Sequence, residues 1–170
     1  TSLTIVVSTI ISVAILNRQV EDFRAQLISL GESLIRITAA NAPDKLLADE
    51  DLALFQLVQD VAALDQVHFV FIADAQNRIK AHSTTSQNGT MAALPPDYTF
   101  LDEVRQIRIG RFAENEKEYL FFERPLTYQR IEVGMVALAI SQEKIVAAVA
   151  GAQRYILFLT VVIILFGVLM

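Results

Sequence analysis

The chain has 170 residues, is 54 % hydrophobic, and carries 14 basic against 19 acidic residues for a net charge of −5. That length allows one domain with its own core, and the acidic balance argues against nucleic acid or an anionic lipid surface as a partner. Cysteine is absent, which excludes a disulfide framework and a thiolate metal site.

Charge is unevenly distributed. Every Lys, Arg, Asp and Glu lies between Asn17 and Arg154, and the stretches Thr1–Leu16 and Tyr155–Met170 hold none. A membrane-spanning helix needs about 20 apolar residues to cross roughly 30 Å of hydrocarbon. The two uncharged runs are expected to be the end of a first transmembrane helix (1–16) and the start of a second (154–170). Residues 17–153 between them then form a water-facing domain. As a signal-peptide core the first run lacks a basic leader and a small-residue cleavage site. As a buried soluble helix the second is unusual in being apolar on every side.

From Asn17 to about Ala40 the pattern is helical and continues without Gly or Pro from the first apolar run. Val20, Phe23, Leu27, Leu30, Leu34 and Ile37 recur at spacings of three and four, a heptad seam that reads either as a dimer interface or as packing against the domain core. Ile28 and Ile35 widen the stripe, and Gly31 weakens the helix slightly. Asn41-Ala-Pro-Asp44 breaks it. A second amphipathic helix is expected from about Ala48 to Leu64, with Leu52, Phe55, Leu57, Val58 and Val61 apolar.

The period then changes to that of strands. Val67–Ala73 and Arg78–Ser83, joined by Asp74-Ala-Gln-Asn77, read as a hairpin. Thr84–Pro96 is polar loop, and the Asn88-Gly-Thr90 sequon within it is explained by turn chemistry. A short helix is expected at about Phe100–Gln106, followed by strands at Arg108–Ala113, Lys117–Pro125 and Arg130–Ile140. Their connections are Glu114-Asn115-Glu116 and Thr127-Tyr-Gln129. Ser141 reads as the N-cap of a helix that runs into the second span. The fold class is therefore α+β, with about five antiparallel strands in one sheet. The N-terminal helices cover one face, and the region Ser83–Gln106 forms a lid over the other.

This ordered set resembles the Cache family of extracytoplasmic, PAS-like sensor domains of bacterial transmembrane receptors, in its single-module form. The likeness rests on Phe69-Val-Phe-Ile-Ala-Asp74 with Arg78-Ile-Lys-Ala-His82-Ser83, on Glu118-Tyr-Leu-Phe-Phe-Glu-Arg-Pro-Leu126, and on Glu132-Val-Gly-Met-Val-Ala-Leu-Ala-Ile-Ser141. The resemblance implies a PAS-like sheet behind a long N-terminal helix, flanked by two spans in the cytoplasmic (inner) membrane. It implies a small ligand, often a carboxylate or amino acid, and coupling to a cytoplasmic output such as a histidine kinase, a cyclase or a chemoreceptor tail. A homodimer joined along the seam and contact with membrane lipid through the spans belong to the same expectation.

No catalytic constellation, cofactor motif or short-spaced metal motif is present. His68 and His82 lie on neighbouring predicted strands, where Asp74 or Glu123 could join them at a metal, but ordinary strand residues explain them as well. A pocket combines apolar walls with a few converging polar groups. By alternation Tyr119, Phe121 and Glu123 share one face of their strand, and Leu120, Phe122 and Arg124 the other. An anionic ligand would be gripped by Arg124, Arg111 or Arg108, with hydroxyls from Tyr98, Tyr119 or Tyr128. His82, Tyr98, Arg111, Tyr119, Phe121, Glu123, Arg124 and Tyr128 are the candidate ligand-binding residues. Gly134 marks a bulge or a close approach, and Ala137 and Ala139 leave room above the sheet. A module that binds only a partner protein is the alternative reading.

Overall fold

The computed structural model describes residues 2–143, with side chains from Arg18 onward except Gln19. The compact unit that carries the sheet is Leu27–Gln142. Helix α1 spans Ser2–Asn41. Its buried stripe is Leu27, Gly31, Ile35 and Thr38, continued by Ala42 just past its end, a three-and-four spacing that keeps one face on the core. Gly31 is more than a weak point in the helix, because the Phe122 ring fills the space where its side chain would be. The expected seam flanks this stripe. Leu27 is buried, Val20, Leu30 and Leu34 are half-buried, and Phe23 and Ile37 are exposed.

The break at Asn41–Asp44 contains the start of a short helix, α2 (Pro43–Leu47), with its proline at the first turn, where a missing N–H costs nothing. Helix α3 (Asp51–Ala62) is narrower than the expected range and buries Leu54, Val58 and Val61. It packs on β1 (Val67–Asp74) and β2 (Ile79–His82). The remaining strands are β3 (Thr99–Val104), β4 (Ile107–Glu114), β5 (Lys117–Tyr128) and β6 (Ile131–Ser141). They form one antiparallel sheet in the order β2-β1-β6-β5-β4-β3.

The sheet thus has six strands, not the expected five, and the difference is β3. Residues Phe100–Gln106 were expected as a helix, but Thr99–Val104 pairs with β4 from Thr99 opposite Arg111 to Val104 opposite Ile107. The turn that makes this hairpin is Arg105-Gln106, both at positive φ. That is the pattern of a two-residue type I′ turn, normally announced by Asn-Gly or Asp-Gly. Asn115-Glu116 and Gln129-Arg130 repeat it between β4 and β5 and between β5 and β6, again without glycine. The β1–β2 turn is signalled conventionally, with Asp74 Oδ1 accepting from the backbone N–H groups of Gln76 and Arg78, both at 2.9 Å.

Ser141 closes β6, and its N–H donates to Gln66 O at 2.8 Å. Of the helix expected after it only Glu143 is described, and is helical; the rest, with the second span, falls outside the described residues. Of the first expected span only the helical backbone from Ser2 is described. Among the described residues, no helix is long and apolar enough to cross a membrane.

Both faces of the sheet are covered. Leu120, Phe122 and Leu126 of β5 and Val136, Leu138 and Ile140 of β6 are buried on the helix side. On the other side Phe71, Ala73, Ile79, Phe112, Tyr119, Phe121, Ala137 and Ala139 form an aromatic-rich layer, which occupies the space that the small Ala137 and Ala139 leave.

Candidate functional site

The segment after β2 crosses this aromatic layer as a lid. A 3₁₀ turn at Thr85–Gln87 leads to residues 88–92, which run along the edge of β2. There Asn88 Oδ1 accepts from His82 N–H at 2.7 Å, Gly89 N–H donates to Ile79 O at 2.8 Å, and Ile79 N–H donates to Thr90 O at 2.9 Å. Ala92 N–H then donates to Asn77 O at 2.7 Å. This tether brings Ala92, Ala93 and Leu94 over the sheet. With Asn77, Phe71, Phe121, Met135, Arg108 and Glu123 they enclose a cleft of about 170 Å³.

Tyr98 stands beside it. Its ring lies over Gly110, in the place a side chain there would need, and meets Phe121 edge-on at 5.7 Å between centroids. Its hydroxyl is buried and, among the described residues, has no hydrogen-bond partner. Burial pushes the phenol above its ordinary value, while neighbouring Arg108 draws it down and Glu123 pushes it up. Arg108 and Glu123 are opposite each other on β4 and β5. One guanidinium nitrogen, Nη1, reaches Glu123 Oε2 at 3.4 Å and Oε1 at 3.5 Å. This long, partly exposed pair is worth little in stability and leaves most of the guanidinium fork for a ligand.

The cleft unites Phe121 and Glu123 with Arg108, one of the three arginines weighed from the sequence, and Tyr98 packs on Phe121 beside it. It does not include the other two. Arg111 faces the helix side of the sheet, opposite Leu120, and is exposed. Arg124 shares the helix side with Phe122 and Leu126, and Tyr128 lies at the far end of β5, so both line a different cleft. Tyr119 is buried in the layer beside the cleft, stacked on Phe112 at 5.1 Å and on His68 at 4.2 Å. The lid residues Ala92–Leu94 and the wall residues Asn77 and Met135 carry no sequence signal, because a small or apolar residue near a turn looks alike in a pocket wall and elsewhere.

The two histidines have separate partners. His68 Nε2 is 3.1 Å from Glu114 Oε2. His82 is buried, with Phe69 and Phe71 each stacked on it at 5.8 Å. Its Nδ1 accepts the Thr84 N–H at 2.8 Å, which requires a ring nitrogen with a free lone pair. Burial holds the imidazole below its ordinary value of 6.5. The unfolded chain therefore binds the proton more readily than the folded one. The stabilisation is complete above about pH 6.5 and is lost as pH falls from there toward the depressed folded value. Melting temperature measured across this range should drop on the acid side, and the drop should be smaller in His82→Gln. Parallel profiles for the two proteins would show that His82 is not the titrating group.

No known family model matches the sequence, and no curated protein does. Solved structures do match. The E. coli DcuS sensor domain superposes with a TM-score of 0.58 at 12 % identity, over 75 % of this chain and 97 % of that one. The chain has the sensor-domain fold. The sensory domain of the Campylobacter jejuni chemoreceptor Tlp3 superposes with a TM-score of 0.54 at 14 % identity, over 86 % of this chain and 64 % of that one. The sensor-domain fold matches the PAS-like sheet and long N-terminal helix that the Cache resemblance implied, with one strand more than expected.

Proposed function

We propose that this chain is the extracytoplasmic sensing part of a transmembrane signalling protein and that the lid cleft takes a small carboxylate or amino acid. The buried Tyr98 hydroxyl without a partner carries this reading. An orphaned buried hydroxyl costs about 1–3 kcal/mol, a cost that a ligand reaching past Arg108 and Glu123 from the adjoining cleft would remove. Arg108 supplies a fork for a carboxylate and Glu123 an acceptor for an ammonium group. The Cache resemblance and the shared sensor-domain fold support an outer location between two spans in the inner membrane. A ligand shifts signalling only by binding two states with different affinity, and the lid tether is the element whose position a ligand would set. Pairing of two copies along the seam fits the exposure of Phe23 and Ile37 on α1.

A cleft of about 170 Å³ is smaller than the roughly 300–1,000 Å³ of most ligand sites. That observation favours the alternative, an interaction module whose cleft is closed by its own side chains. Thermal shift of the whole chain in detergent against a panel of carboxylates and amino acids separates the two. At a hundredfold excess over Kd a ligand should add about 2.7 kcal/mol. Tyr98→Phe should stabilise the ligand-free protein and weaken the ligand's effect. A panel without any shift would leave the interaction module standing.

A further inference from the structure

A second cleft, of about 370 Å³, opens on the opposite, helix-covered face of the sheet, between the ends of α1 and β5 and the start of α2. Its polar lining is Arg36, Asp44, Arg124, Thr127, Tyr128 and Gln129. Arg36 already pairs with Glu32, at 3.8 Å. Arg124 is half-buried, and among the described residues no hydrogen bond or ion pair reaches its guanidinium. Charged groups drawn out of water are normally paired, because their lost hydration must be replaced. Here the wall offers a second guanidinium and two hydroxyls, with the one acid, Asp44, exposed. Ala39 and Ala40 keep the α1 wall short at this level, so space is left in front of Arg124 where a longer side chain would fill it.

We propose that this cleft binds a small oxyanion, the carboxylate or phosphate group of a solute, with Arg124 as the principal contact and Arg36 beside it. A planar guanidinium presents paired donors that match two oxygens of such a group. Thr127 and Tyr128 supply hydroxyl donors to the remaining oxygens. The pairing of β5 with β6 shifts register between Leu126 and Thr127, next to the Thr127 and Tyr128 that line the cleft. The site shares no lining residue with the lid cleft, so the two stand or fall separately.

The test is a titration of the whole chain with orthophosphate and, separately, with succinate, each against chloride at equal ionic strength. Arginine Nε–Hε resonances and the Thr127 and Tyr128 amides are followed by NMR. A saturable shift at Arg124 with either anion, absent with chloride, is the expected result. Phosphate alone would identify a phosphate site, succinate alone a carboxylate site. Arg124→Met keeps the buried stem and should weaken binding about tenfold or more at an unchanged melting temperature. Tyr128→Phe, at a surface position, should weaken it less, and Asp44→Asn should tighten it. No saturable shift with either anion, or binding that survives Arg124→Met, overturns the proposal.

Discussion

Gly134→Ala is expected to lower the unfolding free energy by about 3 kcal/mol, at the upper end for an overpacked core. A methyl group at this position would meet the Ala73 carbonyl oxygen and the Leu46 side chain. Gly134 lies in the middle of the sheet, opposite Asp74 on one side and Leu126 on the other. The first obstacle is main chain in a paired strand, which cannot rotate away as a side-chain tip can. Relief requires β1 and β6 to separate locally or α2 to shift, and either breaks interactions beyond the contact itself. Urea unfolding of the wild type and the variant measures the difference. A loss below about 1 kcal/mol, the size typical of an ordinary substitution, would mean the sheet accommodates the methyl and that the close approach is not a constraint.

Gly31→Ala tests the other close approach, and here two effects oppose. In an exposed helix the change should stabilise by about 1 kcal/mol. In α1 the new methyl would occupy the position of the Phe122 ring, and Phe122 is fully buried, so the ring has no free space to enter. Overpacking of this kind costs about 1–3 kcal/mol, and the net result should be a loss. Phe122→Leu, itself destabilising, should cost less in the Gly31→Ala background than alone, because the shorter side chain makes room for the methyl. A double-mutant cycle reads that coupling. Stabilisation by the single alanine, or additive losses, would show that α1 can move away from the sheet at little cost.

These two glycines also show where sequence reasoning stops. The spacing of Leu27, Ile35 and Leu34 announces a helix with an apolar face, but not that Gly31 is part of that face. An absent side chain gives no periodic signal. Gly134 was legible as a place of close approach because it interrupts a β-branched and apolar run, while its contacts, Ala73 and Leu46, come from elements distant in sequence. The β1–β2 hairpin was readable from Asp74 and Asn77, whose side chain and left-handed backbone make the turn. The β3–β4 hairpin was not, since Arg105 and Gln106 carry no turn signal and Phe100–Gln106 contains good helix formers. Alternation separated Phe121 and Glu123 from Phe122 and Arg124, but which pair lies under the loop Thr84–Pro96 could not be read from it, and the part of the expected lid at Thr99–Val104 is a strand. Placing Arg111 and Arg124 required the register, because adjacent charged residues on a strand point to opposite faces.

The three tight corners at Arg105-Gln106, Asn115-Glu116 and Gln129-Arg130 put six residues, none of them glycine, in the left-handed region. Asn115 takes this region readily, and each of the other five opposes it by about 1–2 kcal/mol. Corners of this kind contribute little to holding the meander together. The strands from β3 to β6 are held instead by the apolar side chains they bury on both faces, so the stability of this half of the sheet is set by its interior rather than by its rim.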